Sequence, residues 1–171
     1  MTGIIDREED PSAAELRDGL IVLRSMIANW ISGGMFGRLE DHFADGDYEA
    51  EEGQRISIDD ATVTLPTTYD DEGDTRAPRE YSTVVIVTSE GEQYYLFSQG
   101  QWRRVDELEA NDEAPLQSLG VNGLAACVAV SFAEEFGGQV GPGTLMTARN
   151  FKTALSYKFG AERPKLAADY F

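Results

Sequence analysis

Residues 116–157, LQSLGVNGLAACVAVSFAEEFGGQVGPGTLMTARNFKTALSY, carry the reading on which the fold turns. Apolar side chains recur at helical spacing through Val121, Leu124 or Ala125, Val128, Phe132 and Phe136, which predicts a mostly buried helix over 116–136. The small residues Gly123, Ala125, Ala126 and Ala129 let a neighbouring helix come close, and Gly137-Gly138 ends the run. Gly141-Pro142-Gly143 then makes a stiff bend, and Thr144 stands as a cap for a further helix to about Tyr157, with Ala148, Phe151 and Leu155 on one face. Such a pattern is an antiparallel helical pair joined by a short loop, offering a surface for one more helix.

That third partner is readable upstream. Asp10-Pro11, or Ser12 with Glu15 as an overlapping capping box, opens a helix whose Leu16, Leu20, Leu23, Ile27 and Trp30 form one apolar stripe. Arg17, Asp18 and Arg24 fall elsewhere on its surface, and Gly33-Gly34 stops it. Trp30 reads as a core or interface anchor at the helix end.

Between these helical parts the period changes from about 3.6 to 2. YSTVVIVT at 81–88 is rich in β-branched residues, SEGE at 89–92 is a turn signal, and QYYLFS at 93–98 is a second strand. Gln99-Gly100 turns the chain into QWRRV at 101–105, giving an antiparallel meander with Tyr94, Phe97 and Trp102 expected on one face. Further back, 36–77 is irregular, with a short alternating piece at 55–58 and a β-leaning stretch at 61–65 among acidic and glycine-containing turns. The fold class expected is therefore α+β: a mainly α-helical core of about three helices, an inserted small antiparallel β subdomain and an extended C-terminal arm. In residue terms, 1–35 and 116–159 make the core, 36–115 the insertion and 160–171 the arm. No repeat of solenoid or propeller length is present.

Composition narrows the function. A chain of 171 residues that is 42% hydrophobic suits a domain with a real core. Its 31 acidic residues face 14 basic ones, a net charge of −17 that opposes binding to a phosphate backbone. The imbalance is regional: residues 40–74 hold 13 acidic residues and one basic residue, Arg55, whereas 143–171 hold five basic and two acidic. All three lysines, Lys152, Lys158 and Lys165, lie in the last 20 residues. An acid excess of this kind suits a solvated loop, general solubility, a salty habitat, or a wall that must not hold passing nucleic acid. No apolar run approaches the roughly 20 residues of a membrane span, and MTGIIDREED has neither a basic n-region nor an apolar h-region, so a soluble intracellular protein is expected.

Catalytic chemistry finds few parts. The only histidine, His42, sits in an acidic loop, and the only cysteine, Cys127, lies in an apolar run and reads as a small buried hydrophobe. Neither a nucleophilic triad nor a zinc set can be assembled from them. The clusters Asp45, Asp47, Glu49 and Asp70, Asp71, Glu72, Asp74 do not follow a calcium-loop pattern, and GGQVGPG at 137–143 lacks the Lys-Ser/Thr ending of a phosphate loop and follows a helix. The expectation is a non-enzyme with no catalytic residues, no metal and no cofactor.

Two blocks in order, GLIVLRSMIANWISGGM at 19–35 and LGVNGLAACVAVSFAEEFGGQVGPGTLMTARNFKTALSYKF at 119–159, cover about a third of the chain. Their helix with Leu, Met, Trp and a glycine turn, then a small-residue helix, a Gly/Pro turn and an aromatic-containing helix, resemble the head-to-tail adaptor proteins of tailed bacteriophages. These are also called head-completion or packaged-DNA-stabilisation proteins. The long acidic, β-rich stretch 36–115 departs from the shortest members, which bears on the tail-facing contacts.

The resemblance implies a homo-oligomeric ring, commonly of twelve copies, beneath the portal protein of a DNA-filled capsid, docking the tail or a second connector protein. It implies a virion protein that passes through the host cytoplasm during assembly, lets double-stranded DNA pass without specific binding, and has no membrane partner. Trp30, Phe132 and Phe151 would then pack protomer on protomer. Arg163, Lys165, Tyr170 and Phe171 would engage the portal, and Asp45, Asp47, Glu49, Asp70, Asp71 and Glu72 would form the acidic surface. A reading of another class is an acidic DNA mimic that inhibits a host nuclease or defence complex; it suits the charge but leaves three ordered helices and a basic tail unused.

Overall fold

The computed structural model describes residues 12–37, 53–58, 61–71 and 74–159. Ser12 opens helix α1 (Ala13–Ser32): its hydroxyl accepts from the Glu15 amide while the Glu15 carboxylate accepts from the Ser12 amide at 2.8 Å. The helix ends where Met35 N–H reaches back to the Trp30 carbonyl and Gly34 N–H to that of Ile31, a double closure that puts Gly34 at φ +70°, where a side chain is disfavoured. Capping box and glycine stop are as the residues led us to expect.

Seven strands follow among the described residues. β1 (Gly53–Ile58) and β2 (Ala61–Pro66) form one antiparallel hairpin, and β3 (Tyr69–Asp71) and β4 (Asp74–Arg76) a second, short one. β5 (Thr83–Thr88), β6 (Gly91–Ser98) and β7 (Gln101–Arg104) make the expected meander in the order β5-β6-β7, so β5 lies at a sheet edge. The turn between β6 and β7 places Gln99 at φ +56° and Gly100 at φ +79°, the primed geometry that matches strand twist.

Alternation along β6 divides its side chains between two cores. Leu96 is buried toward the helices, with Tyr94 and Val85 packed beside it, whereas Tyr95, Phe97 and Trp102 face the β1–β2 hairpin and meet Leu65, Ile56 and Val63. The expectation that Tyr94 shares a face with Phe97 and Trp102 is therefore corrected: an odd separation along a strand sends Tyr94 the other way. The result is three layers, helices on sheet on hairpin. Gln54 stitches the hairpin to the sheet, its side-chain amide accepting from Trp102 N–H at 2.7 Å and donating to the Trp102 carbonyl at 2.8 Å, while the Trp102 indole N–H donates to the Pro66 carbonyl.

After a 3-10 turn at Val105–Glu107 and another at Gln117–Leu119 come α2 (Val121–Phe136) and α3 (Pro142–Phe159). α2 begins at Val121 and not at 116, because Gly120 adopts φ +109° and breaks the helical path. It ends at Gly137 in the left-handed conformation. α3 begins at Pro142, so Thr144 sits inside the helix and does not cap it; Pro at the first turn loses no needed N–H. Met26, Ile27, Trp30 and Ile31 of α1, Leu124, Cys127 and Val130 of α2, and Ala148, Phe151 and Leu155 of α3 share one core. Phe36, Tyr81, Leu96, Val105 and Leu108 belong to that same core, so residues of the 36–115 stretch pack directly on the helices. The architecture is α+β.

Candidate functional site

Where α2 and α1 point their remaining apolar side chains follows from this packing. α2 is apolar on nearly every side, so its partners and not its own pattern decide which face is covered. Leu124, Cys127 and Val130 go inward, whereas Val121 and Phe136, expected in the buried stripe, stand about half exposed. In α1 the expected stripe holds at its C-terminal end, where Ile27 and Trp30 are buried together with Val22, Met26 and Ile31; Leu20 and Leu23 are only partly buried, and Leu16 is 47% exposed. Arg24, expected on the surface, is only partly exposed; its guanidinium donates through Nε at 2.9 Å, and through a second nitrogen, to the Leu108 carbonyl. It thereby ties the 105–108 turn to α1.

Leu108 also lines a groove of about 300 Å³, whose apolar floor it forms with Leu16, Leu20, Leu23 and Val128. Among the described residues, the carboxylate side chains Glu15, Glu109, Asp112 and Glu113 line it, and no basic side chain does. Asp112 is held in place by accepting from the Glu109 amide at 2.7 Å. A second depression, of about 470 Å³, runs along α3 between Val130, Leu145, Ala148 and Tyr157. Its charged side chains are Arg149 and Lys152, with no acid among the lining residues. α3 contains no Asp or Glu at all in a chain of net charge −17. Tyr157 is 93% exposed and Met146 is 66% exposed, a costly display of apolar area for a free surface.

The geometry relates the two. Val128 belongs to the first groove and Val130 to the second. Residues two positions apart on an α-helix differ by about 200° of rotation, so the grooves flank α2 on nearly opposite sides.

Of the residues expected to pack between protomers, Trp30 and Phe151 are buried against each other inside this chain, their ring centroids 6.4 Å apart. Phe132 is half-buried and stacks on the exposed Phe136 at 4.4 Å. Asp70 and Asp71 lie in β3. Asp45, Asp47, Glu49 and Glu72, with Arg163, Lys165, Tyr170 and Phe171, fall outside the described residues. The surface residues missed from the sequence were Leu16, Leu145, Met146 and Tyr157; the signal for the last three was a helix with basic but no acidic side chains.

Cys127 is buried, its sulfur 3.6 Å from the Ala148 carbonyl, and burial pushes its thiol pKa up, partly offset by Lys152. Among the described residues no three His, Cys, Asp or Glu side chains converge as a metal site, and no helix is long and apolar enough to cross a membrane. No family model and no curated protein matches the chain.

Proposed function

We propose that this chain is a non-enzymatic structural protein of a bacteriophage particle, a head-to-tail connector adaptor that rings the underside of the portal. In that role it extends the DNA channel, helps retain the packaged genome and docks the tail or a second connector. The observation that carries this reading is the pair of unlike apolar faces on opposite sides of α2, one rimmed by acids and one by bases. A protomer that meets its neighbours through two different surfaces closes into a ring when the rotation between copies allows it. A charge of −17 repeated around such a ring gives a lumen that repels phosphates and lets a duplex slide. The acidic stretch containing Asp45, Asp47 and Glu49 serves that lumen, and the basic, aromatic-ended segment with Arg163, Lys165, Tyr170 and Phe171 engages the portal.

Co-expression with the portal protein encoded in the same genome, followed by native mass spectrometry and electron microscopy, tests the reading. The expected result is a ring of this protein on the portal, lost on deletion of 160–171 while the isolated domain stays folded. Absence from purified particles, with recovery as a monomer in the cleft of a host nuclease, sinks it in favour of a DNA mimic.

A further inference from the structure

The grooves complement each other in apolar character and in charge. Each offers an apolar strip flanked by polar side chains, the usual anatomy of an interface centre and rim. The rims carry opposite charge: Glu109 and Glu113 on one side of α2, Arg149 and Lys152 on the other. In a chain so acidic, most encounters between copies are repulsive, and an exposed helix free of acids is the surface on which that repulsion is relieved. The faces diverge by about 200° around α2, so one molecule cannot bring its own two together.

We propose that α3 of one copy docks into the acid-rimmed groove between α1 and the 108–115 turn of a second copy. Tyr157 and Leu145 enter the apolar floor beside Leu16, and Arg149 and Lys152 meet the rim carboxylates. The contact is heterologous: each copy spends one face on the neighbour before it and the other on the neighbour after it, so association continues until it closes. The pairing stands on the two grooves alone; its closure into a ring rests on the adaptor reading.

The test uses the full chain and two substitutions at exposed positions, Leu16→Asp in the groove and Tyr157→Asp on α3. Sedimentation velocity and native mass spectrometry across a concentration series should show wild-type association that weakens with added salt. Each variant alone, its far-UV circular dichroism unchanged, should associate at least about tenfold more weakly. An equimolar mixture of the two should form one-to-one pairs and nothing larger, because one intact face remains on each. Lys152→Glu supplies a second α3 variant with the same expected loss. A wild-type chain that stays monomeric throughout, an oligomer indifferent to both substitutions, or a mixture that fails to pair overturns the proposal. Pairing in solution by a chain absent from particles would overturn the adaptor reading and leave this contact standing; rings on the portal that survive both substitutions would do the reverse.

Discussion

Phe151 occupies the space in which a side chain at Gly123 would stand. A β-carbon on Gly123 would lie 2.6 Å from Phe151 Cγ and 2.9 Å from its Cβ, so α2 and α3 approach at a distance only glycine permits. Gly123→Ala gains helix propensity of about 1 kcal/mol but must displace a core ring packed on Trp30, which at so close a contact costs about 2–3 kcal/mol. The expected outcome is a net loss of roughly 1–2 kcal/mol in denaturant unfolding, partly recovered by adding Phe151→Leu. A neutral or stabilising Gly123→Ala would show that the two helices sit farther apart than described.

Gln54 joins the outer hairpin to the meander through both polar atoms of its amide. Replacing it with Ala should cost about 1–2 kcal/mol, one modest net hydrogen bond at each end. The loss is local: amide exchange should quicken in β1 and β2 and at Trp102, and leave α2 and α3 unchanged. Equal acceleration everywhere would mean that the three layers unfold as one unit.

Arg24 donates to the Leu108 carbonyl from a part-buried position. Arg24→Met keeps much of the aliphatic bulk and removes the donors, leaving that carbonyl without its charged partner at an expected cost of about 1.5–3 kcal/mol. Arg24→Lys should recover only part, since one ammonium does not reproduce the planar fork. Thermal melts of the three proteins measure the difference.

The Ser12–Glu15 cap should respond to acid. Hydrogen bonds from the Ser12 hydroxyl and amide hold the Glu15 carboxyl below its ordinary value of 4.5. A carboxyl depressed in the folded state stabilises it fully above the unfolded value, and the contribution fades as pH falls through the lower folded value. Nuclear magnetic resonance titration should show Glu15 ionising below 4.5 and the first turn of α1 fraying in step. Glu15→Gln should keep the box and remove its pH dependence. Titration of Glu15 at the ordinary value would contradict the cap.

Local signals were the legible part of this fold. Ser12 with Glu15, Gly33-Gly34, SEGE and Gln99-Gly100 each act over a few residues, and each stands in the structure as a cap or a turn. Orientation was not legible where a segment is apolar on more than one side. Along α2 a stripe through Val121 and Phe136 is as plausible as one through Leu124 and Cys127, and only α1 and α3 choose between them. Along β6 the run Tyr94, Tyr95, Leu96, Phe97 has no polar gap because both faces of the sheet are covered, so alternation leaves no trace in hydropathy. The same reasoning explains the interaction surface: Trp30 and Phe151, conspicuous in the sequence, are satisfied by each other, and the exposed apolar residues include the less conspicuous Leu145, Met146 and Tyr157.

The edge position of β5 has a consequence for handling the protein. Its TVVIVT run is a β-branched segment whose outer side, beyond the bond from Thr83 N–H to the Gly37 carbonyl at 3.0 Å, pairs with no strand among the described residues, and Val87 stands 77% exposed on it. Segments of that kind seed intermolecular cross-β stacking when partial melting frees them. Mutual repulsion between strongly anionic molecules is the colloidal guard against it. Concentrated salt, or acidification toward the isoelectric point of about 4.2 that the composition gives, weakens that guard, and partly melted protein is then expected to precipitate.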